Sequence, residues 1–85
     1  MFMDELYTRL DRAVAQVNAV KSKAAKRDLI RMIRAVDAAM TAVDQESVEC
    51  RRTRRETSRY RELQQQATEL VDNLEKHITF AALLG

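Results

Sequence analysis

Apolar residues recur at alternating steps of three and four along three stretches of this chain. The first seam is Met3, Leu6, Leu10, Ala13, Val17 and Val20. The second is Leu29, Met32, Val36, Ala39 and Val43, widened by Ile33 and Met40. The third is Tyr60, Leu63, Ala67, Leu70, Leu74, His77, Ala81 and Leu84, widened by Val71 and Ile78. Such spacing lays an apolar stripe along one face of an α-helix, and it predicts helices over about residues 3–20, 24–46 and 59–80. All three are expected to belong to one helical domain covering residues 1–85.

The joints between the seams are polar. KSKAAK at 21–26 breaks the first rhythm with clustered charge. Ser22 is placed to cap the second helix through its side-chain oxygen. Asn18 is placed to help end the first, since Asn tolerates the left-handed conformation. The second joint is less sharply written. Extending the second seam gives Glu46, Cys50, Thr53, Thr57 and Tyr60, which keeps the phase and loses the apolar character. A turn within 47–58, capped by Ser47, Thr57 or Ser58, is expected. An unbroken helix of about sixty residues would run ~90 Å and need a partner along its length.

Composition narrows the fold. The chain has no Pro, and its single Gly is residue 85. The tight turns of sheets draw on Gly, Asn-Gly and Pro, so strands are not expected. The fold class is therefore all-α: an antiparallel three-helix bundle with coiled-coil-like packing, the first helix lying in the groove between the other two. Leu10, Val17, Met32, Val36, Val43, Leu63, Leu70 and Leu74 are the expected core.

Net charge is only +2, but its sign alternates along the chain. Residues 1–20, 35–46 and 62–85 are net negative; residues 21–34 and 47–61 are net positive. Alternating blocks suit antiparallel helices with complementary flanks better than one continuous basic footprint.

The densest basic stretch is ECRRTRRETSRYR at 49–61, with Arg51, Arg52, Arg54, Arg55, Arg59 and Arg61. On a helix these arginines spread over the half opposite Cys50, Thr53, Thr57 and Tyr60. They read first as a solvated face, partly neutralised by Glu56 and Glu62. The functional alternative is a docking site for an acidic partner, because guanidinium groups pair bidentately with carboxylate and phosphate. Nucleic acid is the weaker version: only Tyr60 could stack, and no groove-reading motif is present. Lys21, Lys23, Lys26, Arg27, Arg31 and Arg34 form a second basic group; if both groups faced one side, double-stranded RNA would gain weight.

Chemistry-bearing residues are sparse. His77 and Cys50 stand alone, so a closed zinc site within one chain is not expected. His77 lies on the third seam and reads as a partly buried, hydrogen-bonded side chain. Cys50 has no oriented base in prospect and reads as structural. A Gly-rich phosphate loop is excluded, since there is no internal Gly. Small all-helical chorismate mutases set Arg and Lys across a bundle core, whereas here the basic residues avoid the seams. The expectation is a non-catalytic protein without cofactor or metal. MFMDELYTRL lacks the basic and apolar regions of a secretory signal, and the longest apolar run, FAALL at 80–84, is far short of a membrane span. A cytoplasmic location is expected.

The order and texture of the segments MDELYTRLDRAVAQV, RDLIRMIRAVDAAMTAVDQESVE and RYRELQQQATELVDNLEKHI resemble the three-helix N-terminal domain of SNARE proteins. The vesicle-transport v-SNARE and syntaxin branches are the nearest in texture. The match spans most of the chain and includes no diagnostic motif; the SNARE motif itself and a membrane anchor are not in this sequence. The resemblance implies a regulatory protein-interaction domain at the cytosolic face of endomembranes, docking a trafficking adaptor or its own SNARE helix. It also implies peripheral membrane association through a missing C-terminal part. Two other readings stay open: a basic dimeric helical protein that binds double-stranded RNA, and a small helical assembly or chaperone subunit that forms homo-oligomers.

Overall fold

The structure, a computed structural model, describes residues 2–84, with side chains described for 3–83. It contains three helices and, among the described residues, no strand: α1 (Phe2–Asn18), α2 (Lys23–Thr53) and α3 (Ser58–Leu84). Asp4 and Glu5 sit in the first turn of α1, where negative charge favours the helix dipole. Ser22 caps α2 as expected, its Oγ accepting from the Ala25 N–H at 3.3 Å. Asn18 ends α1 without entering the left-handed region, since Arg54 is the only non-glycine residue with positive φ among the described residues. The Ala19 and Val20 N–H groups instead bond back to the Gln16 and Val17 carbonyls, and the Asn18 carbonyl accepts from Lys26 Nζ at 3.3 Å.

The second helix runs about seven residues past its expected end at 46 and stops at Thr53. Arg54 takes φ 58° and ψ 32°, and its N–H bonds to the Cys50 carbonyl, which the Arg55 N–H also reaches at 3.1 Å. Glycine normally holds this position because a Cβ is penalised there. Polar residues carried the helix further than the seam implied, because Arg and Glu are good helix formers even where nothing is buried.

The helices form an up-down-up bundle 49 × 19 × 14 Å in extent. Tyr7 of α1 meets Asp44 of α2, and Asn18 meets Lys26, so these two run antiparallel. Arg9 of α1 meets Asp72 and Glu75 of α3, and Val20 just past α1 lies beside Ala81 and Ala82, so those two run parallel. The first seam is used as written, with Leu6, Leu10, Ala13 and Val17 buried between α2 and α3. Facing them are Leu29, Val36, Met40 and Val43 of α2 and Ala67, Val71, Leu74 and Ile78 of α3.

Part of the expected core is corrected. Met32, Leu63 and Leu70 are only half-buried at its edge, while Val71 and Ile78 are buried in the centre. Two overlapping apolar stripes were available on α3, and the landing of α1 selects the one through Val71 and Ile78. His77 thereby rotates out and is exposed, with Nδ1 2.8 Å from the Asn73 carbonyl. Leu84 of the third seam lies outside the described side chains.

One length difference shapes the molecule. α1 has 17 residues, or ~25 Å, against ~46 Å for the 31 of α2 and ~40 Å for the 27 of α3. With Arg9 level with Asp72 and Glu75 of α3 and Tyr7 level with Asp44 of α2, residues 2–6 of α1 lie beside about 65–72 of α3 and about 45–49 of α2. The core ends at the same height: no described residue between Val43 and Ala67 is buried. Beyond that line the α2–α3 hairpin continues to its turn as an extension lined by half-buried residues, with Asp44 still in contact with Tyr7 of α1.

Candidate functional site

The tip of that extension carries every arginine singled out from the sequence. Arg51 and Arg52 lie in the last turn of α2, Arg54 and Arg55 in the turn, and Arg59 and Arg61 at the start of α3. All six are exposed. The expected outward face therefore holds, although two of its members sit in a turn rather than on a helix. Inward lie Cys50, Thr57 and Tyr60, all half-buried, whereas Thr53 is exposed.

In place of a core the tip is held by polar contacts. Thr57 caps α3, its Oγ1 accepting the Tyr60 N–H at 3.0 Å. The same hydroxyl donates to Glu46 Oε1 on α2 at 2.9 Å, with Cys50 Sγ 3.8 Å away. Arg59 Nε lies 3.7 Å from the other oxygen of Glu46. This network closes the hairpin with groups that water would otherwise solvate, so its net contribution is modest.

The arginines divide into two groups by partner. Arg52 bonds Glu49 one turn back at 2.7 Å, and that hydrogen bond holds its pKa above the ordinary value. Arg61 pairs with Glu56 at 3.0 Å, and Arg59 with Glu46. Arg51, Arg54 and Arg55 have no carboxylate within ion-pair distance among the described residues. These three line a shallow depression together with Ser47, Cys50, Glu56 and Tyr60.

The second basic group sits at the other end of α2. Lys23, Lys26, Arg27, Arg31 and Arg34 border a shallow groove around Ile30, which is 39% exposed. The two groups are centred ~37 Å apart along the helix. They do not merge into one patch, although Lys23, Arg27, Arg31, Arg34 and Arg52 all fall on the face of α2 opposite Leu29, Val36 and Val43.

Sequence reasoning passed over an apolar end. Phe80 and Leu83 are 64% and 81% exposed, and a cleft beside them is lined by Val20, Ile78, Ala81 and Ala82. The FAALL run was visible, and neither Phe80 nor Leu83 falls on the third seam; the burial of Val71 and Ile78 turns Phe80 further outward.

Among the described residues, no group of three or more His, Cys, Asp or Glu side chains is disposed to hold a metal ion. No helix there is long and apolar enough to cross a membrane. Fold and surface thus define an all-α three-helix bundle with a basic hairpin tip. No family model, curated protein or solved structure matches the chain.

Proposed function

We propose that this chain is a non-catalytic protein-interaction domain whose arginine-rich hairpin tip docks an acidic protein surface. The observation that carries the reading is the exposure of Arg51, Arg54 and Arg55 without carboxylate partners among the described residues, at the tip of a hairpin with no fully buried residue between Val43 and Ala67. Arg54 adds weight. Its backbone is left-handed, a conformation glycine adopts without a Cβ penalty, and its side chain stands among the arginines without ion-pair partners.

A finer version makes the domain the N-terminal regulatory domain of a SNARE in vesicle trafficking, with an adaptor or its own SNARE helix as partner. The order and texture of the three helices support it. A parent sequence with a heptad stretch and an apolar tail after residue 85 is the observation to seek, and its absence from the full reading frame would remove this version.

The tip reading is tested by fluorescence anisotropy with labelled poly-L-glutamate, chosen as a simple acidic chain. The wild type is expected to bind in a way that weakens with salt. R51E/R54E/R55E is expected to lose that binding, and K23E/R27E/R31E to keep it. Equal binding by both variants would discard the tip as the docking surface.

The shared face of Lys23, Arg27, Arg31, Arg34 and Arg52 favours a second reading, the binding of double-stranded RNA along α2. A gel shift with random duplex RNA at two salt concentrations separates the two. Strong, steeply salt-dependent retardation, lost in K23E/R27E/R31E, would replace the first reading with the second.

A further inference from the structure

From Ser47 to Tyr60 the chain carries five hydroxyl groups, and four of them are engaged or shielded. Ser47 and Tyr60 are half-buried. Thr53 Oγ1 donates back to the Glu49 carbonyl at 3.0 Å. Thr57 is half-buried, donating to Glu46 and accepting the Tyr60 N–H. Ser58 differs. It is exposed at the start of α3, and its hydroxyl forms no side-chain hydrogen bond among the described residues.

The arginine turn runs directly into Ser58. Arg55 stands three residues before it, Arg54 four, Arg52 six and Arg51 seven, with Glu56 at two as the one opposing charge among these seven residues. A serine kinase with a carboxylate-lined peptide groove selects substrates by such upstream arginines, because a guanidinium pairs bidentately with a carboxylate. Thr57 also follows arginines, at two and three residues, but a phosphate on it would stand against Glu46. A kinase takes its substrate extended, and residues 54–57 are already non-helical. Widening the opening to 52–61 gives up the Thr57 bonds and the half-buried Tyr60, and no fully buried residue. Such local opening costs far less than global unfolding.

We propose that Ser58 is a phosphorylation site for an arginine-directed, ATP-dependent serine kinase, and that the phosphate switches the tip away from acidic partners. In the transfer, Ser58 Oγ attacks the γ-phosphorus of ATP. The new Oγ–P bond forms as the bond to the β–γ bridging oxygen breaks, ADP leaves, and the hydroxyl proton passes to a carboxylate base of the kinase. The switch, unlike the site, rests on the tip being the docking surface. Six arginines and two glutamates give residues 47–61 a net charge of +4, and a phosphate brings about −2. It stands three residues from Arg55, which has no carboxylate partner among the described residues, and three from Arg61, which Glu56 holds. Glu62, four residues on, opposes it. The arginines then have an anion within their own chain, and an acidic partner must compete with it.

The test uses the full chain, ATP and a calmodulin-dependent protein kinase, which reads an arginine three residues upstream of the hydroxyl. A peptide of residues 49–61 serves as the fully open control, and mass spectrometry locates the phosphate. The folded chain is expected to be phosphorylated on Ser58 at a rate within about tenfold of the peptide, and S58A to take up none at the tip. Incorporation on Thr53 or Thr57 instead, or a greater lag behind the peptide, would overturn the site. Anisotropy with labelled poly-L-glutamate then tests the switch. Phosphorylation is expected to weaken binding about tenfold, with S58A binding as the wild type does. Unchanged binding after phosphorylation would overturn the switch and leave the docking surface standing. Should the unmodified chain fail to bind, the docking reading and the switch fall together, while phosphate on Ser58 still upholds the site.

Discussion

The Thr57 hydroxyl donates to Glu46 at 2.9 Å while accepting the Tyr60 N–H, so one side chain both caps α3 and ties it to α2. Thr57→Ala removes a cap worth about 1 kcal/mol and leaves a half-buried carboxylate with only the more distant Arg59. Denaturant melts are expected to show a loss of about 1–2 kcal/mol, with Thr57→Ser recovering most of it. Hydrogen exchange should quicken at residues 54–62 far more than at Leu74. Uniform quickening across α3 would show that the tip is not a separate opening unit.

Arg54→Gly should stabilise the protein by about 0.5–1 kcal/mol, because glycine adopts the left-handed cap without a Cβ penalty. The same variant should bind poly-L-glutamate less well than the wild type. A gain in stability with undiminished binding would remove Arg54 from the docking surface.

Arg9 lies between Asp72 and Glu75, and hydrogen bonds to Glu75 first and Asp72 second hold its guanidinium pKa above the usual value. Its side chain is 30% exposed, so the contribution is that of a partly solvated network, about 1 kcal/mol. Arg9→Met should lower stability by that amount in 10 mM salt and by visibly less in 1 M salt. A salt-independent loss would assign the effect to packing of the arginine stem instead.

Tyr7 donates to Asp44 at 2.8 Å, and that bond, then burial, then the charges of Asp44 and Asp37 raise its pKa above 10.0. A group whose folded pKa is raised contributes stability below its unfolded pKa and loses it as pH rises through the folded value. Stability should therefore fall above pH ~10, more steeply than in Tyr7→Phe, whose phenyl ring cannot ionise. The bond is largely exposed, so the difference is small; melting temperatures of the two proteins at pH 8 and pH 11 give it directly. Parallel melting profiles for both would remove the role assigned to this bond.

Val36 is fully buried and Leu70 only half-buried. Val36→Asp should abolish the cooperative melt, since an unpaired charge cannot be left in the core. Leu70→Asp should leave a folded protein of lower stability, because its carboxylate can reach water, whereas Val71→Asp should behave like Val36→Asp. Equal severity at 70 and 71 would contradict the rotation of α3 described above.

Much of this molecule is legible along the chain. Three apolar seams with no internal Gly or Pro leave helices as the only means of burying them. Ser22 and Thr57 cap as their chemistry suggests, and six arginines out of phase with the second seam face water. These features are local, set by the 3.6-residue repeat and by side chains bonding to nearby backbone. Other features are decided between helices. α3 offers both the Leu70–His77 line and the Val71–Ile78 line; the position of α1 buries the second and turns His77 outward. The end of α2 is fixed at Arg54 by a left-handed residue that carries no glycine signal. The arginine tip lies past the buried core because α2 and α3 run on beyond Val43 and Ala67 before they turn. Periodicity assigns each residue a face on its own helix, but what covers that face depends on where the neighbouring helix begins and ends, which only packing in three dimensions decides.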